Sequence, residues 1–290
     1  MRRLVVPPNT VPYSERHIRV VRSKKSTVAG VRNEAKETLL ELEPRLVERF
    51  SDFEDAVSGG TLFEFLEDDA FLEHKEALLG CYSGRTSKVK EIFRLIEGAQ
   101  ERRFLKRCPY CGVTLPKTYD HYLPENKFPE LSVHALNLIP CCDYCNKTKS
   151  VHWKNSQHRT FLHFYSDKIP VEQYLYVHLS SMEDQKVVSA RFFIERPEGV
   201  SDDEWSVLSS HYDKLGLIAT YNELANDEIC EIFNACVSHL RHGGSDSEGF
   251  LASLLSPDER LYGLNHWRVV LMRALCECDD FFVIVVAGSE

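Results

Sequence analysis

Apolar residues recur at helical spacing through the first hundred positions. Leu39, Leu40, Leu42, Leu46 and Phe50 fit one face of an amphipathic helix over 33–50. Leu62, Phe63, Phe65, Leu66, Phe71 and Leu72 predict a second helix over 61–79, after a Ser58-Gly59-Gly60 break. Val89, Ile92, Phe93, Leu95 and Ile96 predict a third, leading towards Arg107. The pattern then changes. Residues 108–150 are cysteine-rich and punctuated by proline, and 172–195, rich in Tyr, Val and Phe, predict a strand pair turning near Glu183-Asp184. Helical periodicity returns after residue 200. Ser201 with Glu204 and Ser256 with Glu259 match the S-x-x-E capping box, the second with Pro257 at the first helical position. Residues 222–241 predict a further helix closed by Gly243-Gly244, and the run 281–286 fits either a short buried strand or the end of a last helix.

Composition adds the class. The chain has 290 residues, 43% hydrophobic and 27% charged, as expected for a soluble globular protein of one large or two small domains. Its longest uncharged apolar run, 281–288, is far short of the ~20 residues of a membrane helix. Pro7 and Pro8 interrupt the basic N-terminus, so no signal peptide is expected and the location expected is cytoplasmic, with no membrane partner. Ten cysteines in a chain of this length do not suggest a secreted disulfide scaffold.

The net charge of −9 argues against a nucleic-acid binder until it is read by segment. Residues 1–32 carry +7, 33–80 carry −10, 81–170 carry +7 and 171–290 carry −13. Basic blocks can neutralise phosphates, and acidic ones repel them. The acidic C-terminal block reads as a solvated surface, a dock for a basic partner, or a brake that repels nucleic acid.

Residues 108–149 carry the chemistry. Cys108-x-x-Cys111 and Cys142-x-x-Cys145 can surround one tetrahedral Zn²⁺ with four thiolates, and a segment this short has little core without a metal. Such a site is closed to water and therefore structural. Cys141 is ambiguous by its neighbour, while Cys81, Cys230, Cys236, Cys276 and Cys278 lack knuckle spacing and read as incidental thiols. Between the knuckles lies Asp120-His121. A histidine of ordinary pKa can accept a proton from water at neutral pH, and an aspartate is an oxygen ligand for a hard divalent cation. Neighbouring strand residues face opposite ways, so the two converge only if the strand ends or bends there.

The order C-x-x-C, D-H, N-L-x-P and C-x-x-C-N-x-x-K over 108–149 resembles the HNH nucleases, also called the His-Me finger or ββα-metal group. The resemblance implies a metal-dependent endonuclease hydrolysing phosphodiester bonds, in DNA or alternatively in RNA such as tRNA. It implies that His121 activates water, that Asp120 and Asn146 hold Mg²⁺ or Mn²⁺, and that Asn137 holds the loop orienting His121. Lys147 and Lys149 are the expected phosphate contacts. Trp153, His158 and Arg159 could extend that surface, whereas His163 reads as packing and His134 as incidental. The basic N-terminal Arg16, His17, Arg19 and Arg22 could touch phosphate or a partner.

The expected fold is α+β, with a central ββα zinc finger (105–170) embedded in a mostly helical chain. A helical region with a basic leader (1–104) precedes it, and a hairpin with acidic helices (171–290) follows. This layout also looks like the nuclease subunit of Septu-type bacterial anti-phage defence systems, whose other half is an ABC-type ATPase. A homodimer is expected if both strands of a duplex are cut. The rival readings are a non-catalytic zinc finger that binds nucleic acid or protein, and a structural subunit with a degenerate finger. Asp120, His121 and Asn146 separate these, because a zinc fold requires only the cysteines.

Overall fold

Two compact units make up the chain, residues 3–168 and residues 1–2 with 169–290, in the computed structural model, which describes residues 1–182 and 187–290. The expected turn at Glu183-Asp184 lies outside the described residues. The boundary expected at 170 falls close to the one at 168. The boundary expected at 104 falls inside the first unit, for a reason its packing makes plain.

The first unit opens with α1 (Tyr13–Ser23), a two-residue hairpin of β1 (Thr27–Val28) and β2 (Val31–Arg32), α2 (Glu34–Glu41) and α3 (Glu43–Gly59). The single helix expected over 33–50 is thus broken at Leu42. Pro44 stands in the first turn of α3, where its missing N–H costs nothing, but it cannot donate into the end of α2. The helix expected over 61–79 is likewise divided. A 3₁₀ turn at Leu62–Glu64 comes first, then α4 (Asp69–Leu72), begun by Asp68 accepting from the Ala70 N–H, then α5 (Lys75–Ser83). The expected third helix is α6 (Ser87–Gly98), capped by Thr86. An antiparallel pair follows, β3 (Thr118–His121) with β4 (Leu138–Cys141), in a register that sets Asp120 opposite Ile139 and His121 opposite Leu138. The short helix α7 (Asp143–Lys149) comes directly after β4.

The segment joining β3 to β4 is core. Tyr122, Leu123, Phe128, Leu131, Val133, Ala135 and Leu136 are all buried. Its polar groups find partners on the N-terminal helices. Glu130, fully buried, accepts from Arg49 Nε of α3 at 3.0 Å, and Ser132 Oγ donates to the Leu78 carbonyl of α5 at 3.2 Å. His134 sits among the rings of Tyr13, Phe50 and Phe53, with centroids 4.5–4.9 Å away, so the histidine read as incidental is a packing centre. The helices before residue 104 therefore pack on the β3–β4 segment within one compact unit.

In the second unit β5 (Leu175–Met182) pairs with β6 (Val187–Ile194), as the strand pattern predicts. Five helices follow: α8 (Asp202–Lys214), α9 (Leu217–Arg241), α10 (Ser247–Tyr262), α11 (Trp267–Cys276) and α12 (Asp279–Ser289). Asn265 pins the start of β5 to the loop before α11, its Oδ1 accepting from the Tyr174 and Leu175 N–H groups. Ser201 and Glu204 form the expected capping box. Ser256 and Glu259 do not, because α10 already begins at Ser247 under an Asp246 cap and Pro257 lies inside it. The run 281–286 is helical. No helix among the described residues is long and apolar enough to cross a membrane.

His17 is buried on α1 with neither ring nitrogen hydrogen-bonded among the described residues. Burial, with smaller contributions from His134 and Lys24, lowers its pKa from 6.5 to about 3. The unfolded chain therefore takes up this proton first, and stability falls as pH drops from about 6.5 towards 3. By pH 5 this one group costs about 2 kcal/mol. His17→Leu is expected to narrow the difference in melting temperature between about pH 7.5 and pH 5, measured by calorimetry.

Candidate functional site

The four knuckle cysteines converge. Cys108, Cys111, Cys142 and Cys145 are buried, and their sulfurs all lie within 4.8 Å of one another. The first knuckle is closed by the Gly112 N–H donating to the Cys108 carbonyl at 2.7 Å, with Gly112 at a φ of +70° that favours glycine. The second caps α7, with Cys142 Sγ accepting from the Cys145 N–H at 3.5 Å and the Cys142 N–H reaching Cys108 Sγ at 3.2 Å. A tetrahedral zinc with ~2.3 Å bonds needs sulfurs about 3.8 Å apart, close to the 3.9 Å between Cys111 and Cys142. The thiols' protons are unevenly held. Hydrogen bonds from Cys108, Cys111 and Cys145 hold Cys142 far below the ordinary thiol range, while hydrogen bonds to Cys108, Cys111 and Cys142 push Cys145 up. A bound cation removes this conflict, since it favours all four thiolates at once. Cys141 is not in the cluster. As the strand neighbour of Cys142 it faces the other way, with its sulfur 3.6 Å from Thr118 Oγ1.

His121 ends β3. Its ring touches the Ser132 carbonyl through Nε2 at 2.8 Å. A carbonyl can only accept, so Nε2 carries the proton and Nδ1 carries the lone pair. Nδ1 is 3.5 Å from Glu125 Oε2, and the Tyr82 ring of α5 stands edge-on at 4.5 Å. Burial lowers the pKa of His121, against smaller opposing effects of Glu125 and the Ser132 carbonyl, which favours the neutral ring. Asn137 ties the loop that delivers Ser132. Its Oδ1 accepts from the Leu123 N–H at 2.7 Å, and its Nδ2 donates to the Leu123 and Leu131 carbonyls at 3.0 and 3.3 Å.

Asp120 is 2% exposed and already paired. Lys149 Nζ donates to its Oδ1 at 3.0 Å, and Tyr110 OH donates to its Oδ2 at 2.7 Å. Lys149 also donates to the His121 carbonyl at 2.9 Å and is fully buried. The phosphate contact expected of Lys149 is therefore corrected: its ammonium points inward, because α7 turns this face onto β3, and it has no path to a phosphate. Lys147, two residues earlier on the opposite face, is exposed and pairs with Asp143 at 2.5 Å.

Asn146 Nδ2 donates to Thr118 Oγ1 at 3.2 Å, which leaves its carbonyl Oδ1 as the atom able to ligate a cation. Asn146, Asp120 and His121 line one pocket of about 390 Å³, together with Tyr82, Arg85 and Glu125. These last three are additions to the set read from the sequence. Arg85 is exposed, with its guanidinium 5.2 Å over the Tyr82 ring, and gives the pocket a cation. No local motif marks Tyr82 or Arg85, which reach the pocket only through the packing of α5. Glu125 carried a faint signal in its position four residues after His121. The downstream residues do not extend the pocket. Trp153 is buried against Tyr122 and Phe128, Arg159 pairs with Asp167 at 2.7 Å, and His163 is buried between Ser166 and Leu136. In the basic N-terminal block, Arg19 pairs with Glu15 on α1, and His17 is buried.

No family model matches the chain, and no solved structure matches it significantly. The chain is similar to protein Ea31 of Escherichia phage lambda, with 27% identity over 192 residues. The match covers 61% of this chain and 64% of Ea31, so it spans less than two thirds of that relative.

Elemental analysis of the purified protein is expected to find one zinc per chain. Cys145→Ser should lose the metal and lower the melting temperature sharply, because a structural zinc contributes folding free energy directly. Cys141→Ser should keep the metal.

Proposed function

We propose that the protein is a metal-dependent endonuclease of the ββα-metal type, hydrolysing phosphodiester bonds in nucleic acid, with DNA the first substrate to test and RNA the second. One observation carries the reading: the Ser132 carbonyl holds the proton of His121 on Nε2, which leaves Nδ1 basic in a pocket shared with Asp120 and Asn146. A zinc module has no use for a histidine prepared in this way.

The donors around the pocket are oxygens, from Asn146, Asp120 and Glu125, and this set suits Mg²⁺ or Mn²⁺. Each Asp120 oxygen accepts one hydrogen bond, from Tyr110 or Lys149, and keeps a lone pair, although Lys149 offsets the charge. Asn146 and Asp120 would hold the cation, which when bound supplies charge stabilisation at the phosphate and the leaving oxygen. The protein's own groups do the rest. His121 Nδ1 takes the proton of the attacking water. The Ser132 carbonyl then faces the Nε2–H of an imidazolium and stabilises it, with the Glu125 carboxylate adding to that effect. Arg85 meets the negative charge of the phosphate at the pocket wall. Lys149 positions Asp120 and the end of β3, and Asn137 positions the loop.

The alternative, a non-catalytic zinc module that binds nucleic acid or protein, draws on the pairing of Asp120 with Lys149 and Tyr110, which gives that carboxylate a structural task. The anti-phage setting with an ATPase partner rests on the order of regions along the chain.

Supercoiled plasmid and total tRNA, incubated separately with Mg²⁺ or Mn²⁺, are expected to be cut by the wild type. His121→Ala should slow cleavage by about 10²–10⁴-fold, the usual contribution of a general base. Equal cleavage by wild type and mutant, or none by either with both metals, would contradict the proposal.

A further inference from the structure

A second concavity adjoins the His121 pocket. It is a groove of about 910 Å³ between the C-terminal half of α6, the segment 102–106 and the segment 115–119. The two concavities share Thr118 and Tyr119 of β3 as a common wall. Three residues of extended strand span about 10 Å, so the groove begins roughly that far from His121.

The lining is strongly basic. Five of its residues are Arg or Lys, against one carboxylate, Glu97, which already accepts from Tyr119 OH at 2.7 Å. Arg94, Arg102, Lys106 and Lys117 are exposed, and none forms an ion pair among the described residues. Elsewhere on the surface of this unit several cations are matched one to one, as in Arg19–Glu15, Arg45–Asp68 and Lys127–Glu67. Like charges left together repel, and a polyanion relieves that repulsion while releasing its own counterions. The groove also has an apolar side. Leu115 is 46% exposed, and Tyr119 stacks on Phe93 with centroids 4.3 Å apart. Cations for phosphates beside apolar faces for bases are what a single nucleic-acid strand requires.

We infer that this groove is a track for one nucleic-acid strand, continuous with the His121 pocket and gripping the phosphates that flank the one to be cut. The inference deepens the proposed hydrolase reading by saying where the strand lies, and it rests on that reading only for the direction of the track. It also accounts for a basic block of +7 over 81–170 in a chain of net charge −9. Lys149, the cation nearest the motif, is buried and cannot serve this role.

Binding without cleavage tests it. The full-length wild type, with no added divalent metal, is titrated into a fluorescein-labelled oligothymidine and a matching oligouridine, with anisotropy read between about 50 and 200 mM salt. The triple variant Arg94→Ala, Arg102→Ala, Lys106→Ala is expected to bind at least tenfold more weakly. Its plot of log affinity against log salt should flatten by about 2, at ~0.7 per phosphate contact on a single strand. Lys117→Ala, a separate single change, should flatten it by about 0.7. Lys25→Ala with Arg32→Ala, outside the groove, should change neither quantity. Unchanged affinity and slope in the triple variant and in Lys117→Ala would overturn the inference. So would a wild type that binds polyglutamate and neither oligonucleotide, which would mark the groove as a dock for an acidic protein. Binding that depends on the groove, in a protein that hydrolyses nothing, would keep the track and remove the hydrolase. Hydrolysis with groove-independent binding would do the reverse.

Discussion

The hydrogen bond between His121 and the Ser132 carbonyl is the contact on which the rest of the site depends. It is a bond to backbone, so its geometry is only as firm as the loop that carries it. That loop is held at three levels. Asn137 closes it with three hydrogen bonds, its apolar residues fill the core between the β3–β4 pair and the N-terminal helices, and its buried carboxylate Glu130 is met by Arg49. A side chain aimed by a buried loop anchored in this way keeps its tautomer and its direction without a ligand to hold it.

The same economy governs the charges. Lys149 and Asp120 form a buried pair in which Lys149 also donates to the His121 carbonyl and Asp120 also accepts from Tyr110. Pairs of this kind add little net stability but are costly to break, because either partner alone would be a bare charge in a low dielectric. Lys149 thereby ties the helix after the second cysteine knuckle to the strand that ends at His121. The four-cysteine cluster lies at the start of that helix and Lys149 ties its end, so the cysteine cluster and the pocket are mechanically one piece.

Much of this was legible in the sequence. Two C-x-x-C spacings placed four sulfurs in one cluster, and D-H placed before the loop put both residues at a pocket. Helical periodicity found α6 and α9, and alternation found β5 and β6, because those elements bury one face. The failures have physical causes. Pro44 broke a helix whose apolar spacing was continuous, and Asp246 started α10 a full nine residues before the S-x-x-E match at Ser256. Lys149 could not be assigned inward from its position, since a charged residue at a helix end is usually solvated. The roles of Arg49, Tyr82 and Arg85 depend on contacts between distant segments, and nothing local announces them. The helices before residue 104 looked like a separate region for the same reason.

Nitrogen-15 NMR of the histidine ring tests the central claim most directly. With His121 assigned by comparison with a His121→Gln variant, the account predicts a neutral ring at pH 7 with its proton on Nε2 and Nδ1 unprotonated, in the absence of added Mg²⁺ or Mn²⁺. A ring protonated on Nδ1, or one averaging between tautomers, would contradict it, because the loop would then not be preparing a base.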